Sequence, residues 1–345
     1  MVGPVESPTP RVLVVGLGGT IAMGAGTSSG VVPSLSPDQL LAAVPGLAAS
    51  GIAVETEDVR NLPGAYLTFA DLDEVVALVA RRVAAGIDGV VVTQGTDTIE
   101  ESAYYLDLLH SRPEPVVVTG AMRNPTLAGA DGPANLLAAV QVAASPAARD
   151  RGCLVVFADE VHAAGRVRKT HSTSVGTFRS PDGGALGYVA EGRVRFVNDA
   201  TGRVTAPPRA GDSPAPRVGL VTVTLGDDPT LLDGLAERYD GVVVAGFGAG
   251  HVPESLVEPL DALAAQVPVV LASRTGSGPS LAATYAFAGS ESDLLSRGLV
   301  SAGWLHPYKA RVLLHVLLAG GLGGSEIAAT FAEAGGRGQP ATMRQ

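Results

Sequence analysis

Three places in this 345-residue chain carry side chains suited to acyl transfer. Thr20 follows Gly18-Gly19 at the end of the apolar run RVLVVGLGG. Thr96 and Asp97 sit in the turn Gln94-Gly95-Thr96-Asp97-Thr98, and Lys169 lies in the polar segment ADEVHAAGRVRKTHSTSVGTF. A threonine hydroxyl is a weak nucleophile until a neighbour accepts its proton. Lys169 is of the right type to be that base, directly or through Thr96, if burial keeps it neutral part of the time. Asp97 pulls the other way, because a nearby carboxylate favours the ammonium, and the balance stays open at this level. Asp97 also suits pairing with a substrate ammonium. Backbone N–H groups near Gly18, Gly19 and Gly95 could receive an oxyanion, since glycine lets a ligand approach the main chain closely. The chemistry these groups imply is acyl transfer to water.

Each group also has a plainer reading. Asp97 and Thr98 precede a helical pattern with Glu100 and Glu101 three residues on, which is a capping-box spacing. Thr20 after two glycines reads equally as a turn threonine, and Lys169 among Arg166, Arg168 and His171 as a solvated basic loop. The six histidines show no metal-binding spacing, so no metal is expected, and no cofactor either. GLGGTIAMG imitates a dinucleotide fingerprint, but Ile21 occupies the position of the third glycine.

The elements that must position these residues follow an alternating pattern. RVLVVGLG, Ile52 to Val59, Gly89 to Thr93, Pro115 to Thr119 and CLVVF read as strands, rich in β-branched residues. Between them come helices: from Ser36-Pro37-Asp38 to about Val44, an amphipathic one with Leu72, Val75, Val76 and Val79 on one side, one after Thr98, and one from Pro133 to about Ala144. Residues 1–10 are Pro-rich and expected to be disordered, and 24–36, rich in glycine and serine, are expected to form a mobile lid. ATGRVTAPPRAGDSPAP loses periodicity and gathers proline, which places a linker at 200–216. Beyond it RVGLVTVTLG, VVVAGFGAG and PVVLAS alternate with helices near Pro229–Tyr239 and Pro253–Gln266, and a final helix includes Lys309–Leu318. The expected fold is α/β: a larger N-terminal domain, 11–199, with a doubly wound and mainly parallel sheet, and a smaller C-terminal α/β domain, 217–335.

Composition narrows the function. With 46% hydrophobic and 17% charged residues the chain is that of a folded protein. Its formal charge of −10, without a basic cluster, argues against nucleic acid as a partner. No stretch approaches the roughly 20 apolar residues of a membrane span, and the N-terminus has neither the basic region nor the apolar length of a signal peptide. Cytoplasmic residence is the expectation. The lone Cys153, in CLVVF, cannot form an intramolecular disulfide and reads as a small buried hydrophobe.

Taken in order, GGTIA (Gly18–Ala22), VVTQGTDTIEESAYYL (Val91–Leu106), TGAMR with ADGPANL, and GRVRKTHSTSVGTF resemble the bacterial-type L-asparaginases. The likeness runs from about Arg11 to the helix containing KARVLL. The resemblance implies that Thr20 is the nucleophile, Thr96 and Asp97 the second catalytic threonine and its aspartate, and Lys169 the lysine of the KT motif. It implies hydrolysis of the asparagine side-chain amide to aspartate and ammonia through a threonyl acyl-enzyme. It also implies a homotetramer whose sites are completed across a subunit pair. Three departures accompany it. Many relatives carry a tyrosine just after the nucleophile, whereas the first tyrosine here is Tyr66. The serine that holds the substrate α-carboxylate should fall in PGAYL, which has none, leaving Gly64, Ala65 and Tyr66 to join Gly19, Gly95, Thr96 and Asp97 as substrate contacts. The acidic residue that some relatives lend across subunits should fall in SGPSLAATYAF, where Ser277 or Tyr285 would stand instead. Alternatives are an amidase preferring glutamine or another ω-amide, an autoproteolytic enzyme cut at Gly19-Thr20 or Gly95-Thr96, and a non-catalytic amino-acid-binding protein.

Overall fold

The computed structural model describes residues 9–25, 31–33, 36–209 and 214–336. The chain forms two compact units, one ending at Ala200 and the other starting at Thr201. The first unit begins with β1 (Arg11–Gly18), the short pair β2 (Met23–Ala25) and β3 (Val31–Pro33), α1 (Pro37–Ala42) and β4 (Ala53–Leu62). It continues through α2 (Phe69–Ala84), β5 (Gly89–Thr93), α3 (Ile99–Leu109), β6 (Val116–Thr119), α4 (Gly132–Ala143) and β7 (Cys153–Phe157). Then follow β8 (Glu160–Ala163), β9 (Arg168–Lys169), β10 (Phe178–Arg179), β11 (Gly187–Ala190) and β12 (Arg193–Phe196).

Eight of these strands form one sheet in the order β12-β11-β8-β7-β6-β5-β1-β4. From β4 to β7 every pairing is parallel. The inner strands β1, β5, β6 and β7 are almost wholly buried and read as apolar runs, as strands covered on both faces do, whereas β4, AVETEDVRNL, is a polar edge strand with no fully buried residue. Val12, Val14, Val91, Val117, Leu154 and Val156 point to one face, where they meet Leu136, Ala139 and Val140 of α4 and Leu40 of α1 in a single core. On α2 Leu72, Val75 and Val79 of the expected stripe are buried and Val76 is half-buried, and the helix start is fixed by Thr68, whose hydroxyl accepts from Asp71 N. Cys153 is buried, as its setting in CLVVF predicts.

The far edge of the sheet departs from the sequence reading, which treats residues 158–178 as one polar segment. There β7, β8, β11 and β12 pair antiparallel. The β7–β8 hairpin turns on Ala158 and Asp159, both at positive φ (48° and 61°). Two-residue hairpins need that geometry, but their usual mark is Asn-Gly or Asp-Gly, so Ala-Asp gives no signal. Of the expected lid, 26–30 and 34–35 lie outside the described residues, as do 1–8 of the Pro-rich start.

The second unit holds β13 (Val218–Thr222), α5 (Leu235–Arg238), β14 (Gly241–Gly246), α6 (Val257–Ala264), β15 (Val269–Ser273), α7 (Glu291–Ser296), β16 (Val300–Ser301), α8 (Pro307–Ala319) and α9 (Gly324–Ala334). Its sheet, β13-β14-β15-β16, is parallel throughout. The helix expected near Pro229–Tyr239 is split into a 3-10 turn at Pro229–Leu232 and the short α5, because Gly234 between them adopts a left-handed conformation, φ 63°. Helix α9 lies beyond the last helix expected. Among the described residues no helix is long and apolar enough to cross a membrane.

Candidate active site

Strands β1 and β5 are parallel neighbours, and their register sets Gly16 beside Thr93. Strand β1 runs two residues past that pair, to Gly18, and the turns leaving the two strands run together at the carboxyl edge of the sheet, where open α/β folds bind ligands. Gly19 has φ +84°, and a Cβ on it would fall 2.0 Å from Gly95 N. A Cβ on Gly64 would fall 2.7 Å from Gly95 O. Three main-chain segments thus meet with no room for a side chain among them. The contact sets Thr20, which opens the 3-10 turn Thr20–Ala22, next to the turn Thr96–Thr98, with the turn Gly64–Tyr66 on the other side.

Lys169 reaches this junction from a separate part of the chain. Its Nζ donates to Thr96 Oγ1 at 3.0 Å and to Asp97 Oδ1 at 2.9 Å. Thr96 is buried and the Asp97 side chain is 61% exposed, while that of Lys169 is 17% exposed. The lysine is therefore no solvated loop residue. Its backbone is held by pairing with Phe178, whose ring packs tilted against that of Phe157, with centroids 4.2 Å apart. Lys169 N also donates to Glu100 Oε1 at 3.4 Å, so the buried Glu100 in the first turn of α3 faces the lysine strand. Helix α3 accordingly carries no side-chain cap at Thr98, and the capping-box reading of this turn fails.

Of the residues expected in the site, Gly19, Gly64, Gly95, Thr96, Asp97 and Lys169 are joined by direct contact, and Thr20 is linked through Gly19. Gly64 is buried, while Ala65 and Tyr66 are exposed, Tyr66 by 68%. Tyr285 lies in the second unit, its ring edge-on to His251 at 4.9 Å, and His251 Nε2 stands 3.1 Å from the buried Glu291. Among the described residues no group of three or more His, Cys, Asp or Glu is placed to hold a metal.

Two supporting residues escaped sequence reasoning. The Asp131 carboxylate accepts from Met122 N and Arg123 N, at 3.0 and 2.8 Å, and so fixes the loop after β6. The buried Asn135 bridges two strand ends, donating to Gly120 O and accepting from Ala158 N, each at 3.0 Å. Their i, i+4 spacing across the start of α4 was the available signal. Gly132 between them is close enough to Ile21 that a Cβ would lie 3.0 Å from Cγ1, so α4 abuts the turn that carries Thr20.

A buried histidine steadies the lysine segment. His162 Nδ1 shares a hydrogen bond with Ser180 Oγ at 3.1 Å, one residue beyond β10, and its Nε2 lies 3.4 Å from Glu160 Oε2. Burial, reinforced by the Arg179 charge, lowers its pKa from 6.5 to about 4. The folded protein therefore holds a neutral imidazole while the unfolded chain takes up a proton below pH 6.5. Stability is unaffected above that value and falls as the pH drops from 6.5 to about 4. Denaturant titrations at pH 7 and pH 4 should assign roughly 2–3 kcal/mol of the acid loss to this group. His162→Gln should remove that share, and an unchanged acid loss in the variant would refute the assignment.

The fold and site define a two-unit α/β enzyme with a threonine–lysine–aspartate cluster at the end of its main sheet. The comparisons supply the family. Residues 11–202 match the family model for the asparaginase N-terminal domain, and 217–331 that for the glutaminase/asparaginase C-terminal domain. The chain is 37% identical over 328 residues to a probable L-asparaginase of Deinococcus radiodurans, covering 94% of this chain and 98% of that one. To L-asparaginase 2 of Escherichia coli it is 36% identical, with coverages of 90% and 89%. A crystal structure of a probable cytoplasmic L-asparaginase from Campylobacter jejuni superposes with a TM-score of 0.83 at 34% identity, covering 93% of this chain and 99% of that chain. The chain belongs to the asparaginase family and is an amide hydrolase.

Proposed function

We propose that this enzyme hydrolyses the side-chain amide of L-asparagine to L-aspartate and ammonia through an acyl-enzyme on Thr20. The observation that carries this reading is the pair of bonds from Lys169 Nζ to Thr96 Oγ1 and Asp97 Oδ1, in a turn pressed against the one that holds Thr20. Thr20 Oγ attacks the side-chain carbonyl carbon, and its proton is taken up by the Thr96–Lys169 pair. The tetrahedral intermediate collapses, the C–N bond breaks, and ammonia leaves with a proton returned by that pair. Water then attacks the aspartyl ester and frees Thr20. Backbone N–H groups of the glycine junction stabilise the oxyanion, and the exposed Asp97 carboxylate pairs with the substrate α-ammonium. Gly64, Ala65 and Tyr66 receive its α-carboxylate end.

In this reading residues 11–199 form the catalytic domain and 217–335 a domain that completes the site or a subunit interface in a homo-oligomer. The enzyme works in the cytoplasm and needs no cofactor. Ammonia release from L-asparagine, L-glutamine and small ω-amides tests the substrate assignment. Asparagine should give the highest kcat/KM. A preference for glutamine, or saturable asparagine binding without turnover, would overturn it.

A further inference from the structure

Thr98 is left without a task in the Gln94–Thr98 turn once the cap is excluded, and its surroundings define one. Its hydroxyl accepts from Gln94 Nε2 at 3.2 Å and donates to Gly64 O at 3.0 Å, across 34 residues of sequence. Gln94 is fully buried, and the same Nε2 lies 3.1 Å from Ser102 Oγ, which in turn donates to Thr98 O at 2.9 Å. Thr98 is therefore gripped by the strand end and by α3, and its hydroxyl proton is left to point at the Gly64 carbonyl. That carbonyl belongs to the turn whose main chain touches Gly95 so closely that a Cβ on Gly64 would meet Gly95 O, C and Cα within 3 Å.

We infer that Thr98 is a positioning residue that latches the Gly64–Tyr66 turn onto the Thr96–Asp97 turn, and so sets the distance between the place where the substrate backbone is held and the place where its amide is cleaved. The inference rests on the reading that Gly64–Tyr66 receives the α-carboxylate end. A fixed distance selects side-chain length, because asparagine and glutamine differ by one methylene between these two points. Loosening the latch weakens substrate binding and narrows the discrimination, while the Lys169 contacts to Thr96 and Asp97 stay in place.

The test compares wild type with Thr98→Val, which keeps the shape and loses the hydroxyl, and with Thr98→Ser, which keeps it. Thr98→Val should raise KM for asparagine about tenfold with kcat changed by less than about threefold, the scale expected when one well-made hydrogen bond is lost. It should weaken the affinity for L-aspartate, measured by calorimetry, to a similar degree, and should lower the asparagine-to-glutamine ratio of kcat/KM. Thr98→Ser should restore all three. Gly64→Ala, whose Cβ wedges the same two turns apart while the Thr98 hydroxyl is kept, should reproduce the KM effect. A Thr98→Val enzyme with a lowered melting temperature but wild-type KM and aspartate affinity would mean an ordinary structural bond and overturn the inference. So would a fall in kcat alone, or a serine variant that fails to recover. If wild type neither hydrolyses asparagine nor binds aspartate, the reading of the whole site fails and the latch with it; wild-type activity with an indifferent Thr98→Val sinks the latch alone.

Discussion

Thr20→Ala is expected to lower the turnover of L-asparagine about a thousandfold or more while leaving a folded protein. Thr20 is half-buried at the start of a 3-10 turn whose core contacts are made by Ile21 and Ala22, so loss of its hydroxyl leaves no cavity in the main core. The junction that places it is made by Gly19, not by its own side chain. Stability and activity should therefore separate. Ammonia release collapses, while the melting temperature stays within a few degrees of wild type. Near-normal activity in purified Thr20→Ala protein would remove Thr20 from the role of nucleophile.

The second large effect is expected at Lys169. Lys169→Met keeps most of the stem that runs past Thr96 and removes the group bonded to Thr96 Oγ1 and Asp97 Oδ1. The Asp97 carboxylate is 61% exposed, so water replaces the lost partner and little stability is at stake, as for most exposed ion pairs. Proton transfer has no such substitute. The fall should be about a hundredfold to ten-thousandfold in kcat, the range for general acid–base groups, with a smaller change in KM. Steady-state kinetics on Lys169→Met beside a melting curve decide the matter: a variant that loses stability and activity together points to a structural lysine. Arginine at this position should not rescue, because a guanidinium stays protonated and cannot accept a proton.

The inner parallel strands β1, β5, β6 and β7 were legible because each is a nearly continuous apolar run, and Gln94–Thr98 stood out as a polar turn closing one of them. The antiparallel edge was not, because its hairpins turn on Ala158-Asp159 and Glu191-Gly192, neither of which is the Asn-Gly or Asp-Gly pair that marks a two-residue hairpin. The broken helix before Tyr239 hides for a similar reason, since Gly234 inside a helical pattern is tolerated often enough to carry little warning.

In the site, residue types carried the chemistry, but which side chains meet depends on contacts between distant segments. Lys169 reads as a loop lysine until β9 pairs with β10 and turns it toward Thr96. Thr98 and Glu100 fit a local capping pattern so well that their real partners, Gly64 at 34 residues and Lys169 at 69, stay hidden. Asn135 joins strand ends at Gly120 and Ala158, a bridge that only the sheet order brings within reach.

The central claim, a covalent aspartyl intermediate on Thr20, can be met most directly by acid-quenching the enzyme during turnover of L-asparagine and mapping its peptides by mass spectrometry. The account predicts an intact chain in which only the peptide containing Thr20 gains the mass of an aspartyl group, with no such gain in Thr20→Ala. An aspartyl group on the Thr96 peptide, or a chain cleaved between Gly19 and Thr20, would contradict it.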